Sequence, residues 1–123
     1  MYVVYLLRSG NLSYIGMTND FLKRWKQHNG ILRGGAKYTH QRNDWTPLCI
    51  IDGFPTKSEA MQCEWKLKRA RGYYQRVLFI SYMLSQSKWT SKSPLIKEQP
   101  LTIYIVPDYK HLFIHPTKEL VWF

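Results

Sequence analysis

Two short apolar runs, Tyr2 to Leu7 and Leu12 to Ile15, are separated by Arg8 and the turn cluster Ser9-Gly10-Asn11. Both are rich in β-branched and aromatic residues, so both read as strands, and a connection that tight makes them an antiparallel hairpin. The hairpin constrains chemistry as well as fold. It brings Tyr5 and Tyr14 together in space although they lie apart in the chain.

The following residues extend this unit. Thr18, Asn19 and Asp20 can cap a helix that starts near Phe21, and Asn29-Gly30 can end it. Leu22 and Trp25 are read as one face of that helix, Arg24 and His28 as another, four residues apart. Residues 31–46 have no periodicity and are read as a loop. Pro47 to Phe54 reads as a third strand. Thr56-Lys57-Ser58-Glu59 has capping-box spacing. It opens a helix expected to reach about Arg71, with Ala60, Cys63, Glu64, Leu67 and Ala70 as its inward stripe. Glu64 is the anomaly, a carboxylate in an apolar row. Tyr73 to Leu84 is a third helix. Ser85 to Pro100 reads as a linker. Leu101 to Val106 and Leu112 to Ile114 look strand-like, and Leu120-Val121-Trp122-Phe123 ends the chain.

The expected class is therefore α+β. The expected organisation is a main domain over residues 1–84, a linker-like segment over 85–100, and a C-terminal extension over 101–123 that packs on the core or on a partner. At 123 residues the chain is long enough for its own core. No apolar run is long enough to span a bilayer and no signal-peptide pattern occurs, so a soluble, intracellular protein, nuclear or cytoplasmic, is expected and a membrane partner is not.

Charge narrows the function. Eighteen Lys and Arg face eight Asp and Glu, a net +10, which favours a polyanion and above all nucleic acid. Cys49 and Cys63 lack metal-ligand spacing and read as small buried hydrophobes.

Tyr5, Tyr14, Arg24, His28 and Glu64 suit phosphodiester hydrolysis as a set. The attacking water must lose a proton, and a metal ion can neutralise charge at phosphorus and at the leaving oxygen. Mg²⁺ prefers oxygen and keeps several waters, so one carboxylate, Glu64, suffices when the substrate supplies another ligand. Arg24 can grip a phosphate oxygen through its planar fork. His28 can hold a phosphate oxygen or orient a tyrosine. Tyr5 and Tyr14 offer hydroxyls, and a phenolate base would need a nearby cation. Each residue alone has a commonplace structural role; the joint occurrence carries the argument.

That set, in this order, resembles the GIY-YIG endonuclease superfamily. Val3-Val4-Tyr5 stands for the first triplet and Tyr14-Ile15-Gly16 for the second. Thr18-Asn19-Asp20, Gln27-His28-Asn29-Gly30, Gly34-Gly35-Ala36-Lys37-Tyr38-Thr39 and Glu64 are similar to the branch that holds the Slx1 structure-selective nucleases and small stand-alone bacterial members. The likeness covers roughly residues 1–75. It implies a small three-stranded antiparallel sheet flanked by helices, one divalent metal (Mg²⁺, with Mn²⁺ able to substitute) on Glu64, and a scissile phosphate on Arg24. It implies Tyr5 as general base or water-orienting group, with Tyr14 and His28 completing the site. Arg33, Lys37, Tyr38 and Arg42 are the implied DNA-backbone contacts. The chain departs from the pattern at Val3-Val4, at Met17, and at Arg76, which falls near a family asparagine. Two cysteines cannot build the RING-like zinc domain of the Slx1 branch.

The expected function is metal-dependent DNA endonuclease, with flap or branched DNA as the structure-selective case and duplex as the ordinary one. RNA is the alternative substrate. The rival is a nucleic-acid-binding module with little catalysis that recruits a partner. A protein partner or a second copy of the chain is expected to use the C-terminal extension.

Overall fold

In the computed structural model, which describes residues 1–122, β1 (Tyr2–Ser9) and β2 (Leu12–Thr18) form the hairpin. Gly10 turns the chain at φ 58°, a conformation that glycine adopts without strain. The register sets Tyr5 opposite Gly16 and Leu7 opposite Tyr14. β3 (Thr46–Phe54) pairs antiparallel on the other side of β1.

β1 is thus paired along both edges, and its period of two sends alternate side chains to the two faces of the sheet. Val4 and Leu6 enter the main core with residues of α2 (Lys57–Leu67) and α3 (Tyr73–Leu84). Tyr5 and Leu7 enter a second cluster with Trp45 and with Phe21 and Trp25 of α1 (Phe21–His28). The starts of α1 and α2 are capped by side chains: Asp20 accepts from the Lys23 amide at 3.2 Å, and Thr56 and Glu59 close a reciprocal capping box.

The sheet has five strands rather than three, in the order β2-β1-β3-β4-β5. β4 (Thr102–Ile105) pairs antiparallel with β3, and the two-residue β5 (Lys118–Glu119) pairs parallel with β4. The α+β class holds. Residues 85–100 carry Trp89 and Ile96 into the main core, with Trp89 Nε1 donating to Gln99 Oε1 at 3.0 Å. The Pro100 carbonyl then lies against Gly53, where a Cβ would collide with it and where φ is 111°.

Other elements differ from the sequence reading. α2 ends at Leu67 instead of near Arg71, because residues 68–70 tighten: the Arg69 and Ala70 amides donate to Lys66 and Leu67, three residues back. Leu22 does not join Trp25 in the interior and is 53% exposed; Phe21, Trp25 and His28, spaced four and three apart, set the packed face of this short helix. The strand expected at Leu112 to Ile114 is absent. Pro107 opens a 3-10 helix that runs to Leu112, since its fixed φ suits a first turn. Residues 38–41 of the expected loop also form a 3-10 turn. Trp122 meets Phe21 and Trp25 at 5.7 and 5.0 Å between ring centroids, and Phe123 lies outside the described residues. Cys49 and Cys63 are free and buried. Among the described residues no helix is long and apolar enough to cross a membrane.

Candidate active site

The five singled-out residues gather at the β2 edge of the sheet. Tyr5 is 2% exposed, and its hydroxyl lies 2.7 Å from His28 Nε2. His28 is fully buried, with Nδ1 2.8 Å from Thr39 Oγ1. The Thr39 hydroxyl donates its one proton to the Ala36 carbonyl at 2.8 Å. Thr39 must therefore accept from His28, which assigns the imidazole proton to Nδ1 and the lone pair to Nε2. Tyr5 is then the donor to His28. The chain of bonds runs from Tyr5 through His28 and Thr39 to a backbone carbonyl, and the lone pairs of the Tyr5 oxygen remain for the site.

Two local devices hold this chain. Gly16 faces Tyr5 across the hairpin, and a Cβ there would collide with the Tyr5 hydroxyl and the Tyr14 ring. Asn29 clamps the end of α1: its side chain accepts from the Trp45 amide at 2.7 Å and donates to the Trp45 carbonyl at 3.1 Å. Trp45 Nε1 in turn donates to the Thr39 carbonyl at 2.8 Å.

Tyr14 packs beside this network, 4.9 Å from the His28 ring centroid and 6.1 Å from Tyr38, with which it stacks. Arg24, half-buried on α1, donates to Gln27 Oε1 at 3.1 Å. Glu64 reaches the same edge from α2. It is not inside the apolar stripe; its side chain is 21% exposed and pairs with Lys68 at 3.8 Å, while Lys68 lies 6.0 Å over the Tyr14 ring.

The electrostatics follow from burial. Burial pushes the Tyr5 phenol well above its ordinary range, helped by Tyr14 and Glu64 and opposed by the Arg24 guanidinium. Tyr14 is raised for the same reason, again against Arg24. Both are neutral in the free protein, so a phenolate at Tyr5 needs added positive charge. Burial, then Arg24 and His40, lowers His28 to about 4. The unfolded chain binds a proton at His28, near its ordinary 6.5, that the folded chain refuses. Folding stability should therefore be complete above about 6.5 and fall as pH drops toward 4, by about 3 kcal/mol from this residue. Urea midpoints measured across that window should slope for the native chain and be flatter for His28→Gln; equal slopes would contradict the assignment.

A basic cleft of ≈ 510 Å³ adjoins Tyr14 and Tyr38 and is lined by Ser13, Lys68, Arg71 and Arg76. Arg76 is fixed there by bonds to Ser13 Oγ at 3.0 Å and the Ala70 carbonyl at 2.9 Å. The sequence reading missed this cleft; the run of cations at 68, 71 and 76 without an acid was its available signal. It also missed Thr39 as the partner of His28. Arg33, Lys37 and Arg42 are exposed, and Tyr38 is 44% exposed beside Tyr14.

The donor set fits a hard divalent cation. Glu64 is the carboxylate at the site, and among the described residues no cluster of three or more His, Cys, Asp or Glu could hold an ion unaided. An ion on Glu64 would complete its shell with water and substrate oxygen, as Mg²⁺ does readily.

Residues 1–75 match the model of the GIY-YIG catalytic domain. The chain belongs to that family. Its relatives include a protein named structure-specific endonuclease subunit SLX1 from Malassezia globosa, 43% identical over 72 residues, covering 56% of this chain and 16% of the relative. A protein of the same name from Schizosaccharomyces japonicus is 44% identical over 68 residues, 52% of this chain and 25% of the relative. One from Schizosaccharomyces pombe is 33% identical over 116 residues, 90% of this chain and 38% of the relative. The chain thus spans well under half the length of these relatives. GIY-YIG nucleases depend on a divalent metal, and residues 1–75 carry the catalytic domain of that family.

Proposed function

We propose that this chain is a Mg²⁺-dependent DNA endonuclease with a preference for branched or flap DNA. The convergence of Tyr5, Tyr14, Arg24, His28 and Glu64 on the β2 edge carries the reading. The curated relatives are named as structure-specific endonuclease subunits, which supports a substrate chosen by its structure and a protein partner for the whole assembly.

Glu64 would hold the metal, whose charge would stabilise the pentacovalent phosphate and the leaving oxygen. Arg24 binds the scissile phosphate and fixes its orientation. The Tyr5 oxygen accepts the proton of the attacking water while its own proton passes toward His28 Nε2. His28 is held neutral in the free protein, and a bound phosphodiester offsets the Arg24 charge that disfavours its protonation. Tyr14 and Tyr38 wall the site, and Lys68, Arg71 and Arg76 line a path for the adjoining backbone phosphates.

Attack by water in line with the 3′ oxygen leaves a 5′-phosphate and a 3′-hydroxyl. Nicks made on a labelled flap substrate in Mg²⁺ are therefore expected to be sealed by a DNA ligase without end repair. Ends that need phosphatase or kinase treatment before sealing would contradict the mechanism.

A further inference from the structure

Glu64 and Lys68 form one row along α2. Trp65, the next residue, stands about 100° around α2 from Glu64, and Arg69 follows just past the helix end. Trp65 is 58% exposed, and the Arg69 guanidinium lies 5.4 Å from its ring centroid. On α3, Tyr82 is also 58% exposed and stacks on Phe79, with ring centroids 6.1 Å apart and planes at 13°. A cleft of ≈ 590 Å³ joins the two helices here, lined by Lys66, Arg69, Phe79, Tyr82 and Lys88 among others, and no acidic side chain lines it.

Large aromatic rings normally favour burial. Exposed rings interleaved with cations make sense for a ligand that has flat π faces and a phosphate backbone. A duplex hides its base faces in the stack, so it can use the cations but not the rings. Unpaired nucleotides can use both.

We propose that the face formed by Trp65, Arg69, Phe79, Tyr82 and Lys88 is a second nucleic-acid site that holds a single-stranded segment. Its Trp65 adjoins Glu64 on α2, so the strand in the active site and an unpaired strand of the same substrate would part across α2. This deepens the endonuclease reading and rests on it for the link to cleavage, but binding tests it without cleavage.

The test uses the full chain carrying Glu64→Gln, in EDTA, with fluorescence anisotropy of a labelled oligothymidylate and of a duplex of equal length. Trp65→Ala with Tyr82→Ala should weaken oligothymidylate binding about tenfold or more and duplex binding by less than about twofold. Arg69→Gln with Lys88→Gln keeps both rings. It should reduce the salt slope on oligothymidylate by about 1.4, the value for two lost phosphate contacts. Unchanged oligothymidylate affinity in both variants would overturn the proposal and leave the face to another class of partner. Equal losses on single strand and duplex would also overturn it, because the rings would then add nothing specific to unpaired bases. Failure of the wild-type chain to cleave any DNA would sink the nuclease reading while leaving these binding results interpretable.

Discussion

Glu64→Gln is expected to abolish metal-dependent cleavage, with a loss of about 10³-fold or more. The substitution keeps size and hydrogen-bonding capacity but removes the negative charge that a hard cation requires. Metal stabilisation of the transition state is worth several kcal/mol, and each 1.36 kcal/mol is about tenfold in rate. Stability should change little. Glu64 is partly exposed, and its pair with Lys68 is an i,i+4 contact at 3.8 Å, of the kind worth only a few tenths of a kcal/mol. The variant should thus melt like the native chain and bind DNA in EDTA, yet show no turnover in Mg²⁺. Turnover near the native rate would remove Glu64 from the metal site.

Arg24→Ala is expected to lower the cleavage rate by about 10² to 10³, the usual cost of losing one charge donor to a developing oxyanion. Arg24→Lys should recover only part of this, because a point charge cannot reproduce the planar fork. The same substitution has an electrostatic signature in the free protein. Arg24 pulls the phenols of Tyr5 and Tyr14 down and opposes a proton on His28. Removing it should raise the His28 pKa above its value of about 4, which imidazole proton shifts in an NMR titration would register. A variant with lost activity but an unmoved His28 would place Arg24 away from the network.

Much of this site was legible in the chain because local rules governed it. Ser9-Gly10-Asn11 forced the hairpin, and the hairpin brought Tyr5 near Tyr14. Thr56 and Glu59 announced the start of α2, which fixes where Glu64 emerges. What escaped was set by long-range packing. Trp89 and Ile96 sit in a polar segment that reads as a linker, yet they enter the core and lead to β4. The two residues of β5 are Lys118 and Glu119, which carry no strand pattern. Glu64 reads as an inward carboxylate on a helical wheel, whereas the β2 edge leaves it at the rim. Thr39 is a common residue in a glycine-rich segment; only the fold shows that it fixes the tautomer of His28. The aromatic-cationic face of α2 and α3 was equally hidden, because its members come from two helices.

The most direct test of the central claim is cleavage of labelled flap, four-way-junction, duplex and single-stranded DNA by the native chain, in Mg²⁺ and in EDTA, beside Glu64→Gln. The account predicts cutting in Mg²⁺ alone, strongest on the branched substrates and absent from the variant. Cutting that persists in EDTA or in Glu64→Gln, or tight DNA binding with no cutting of any substrate in Mg²⁺, would contradict it.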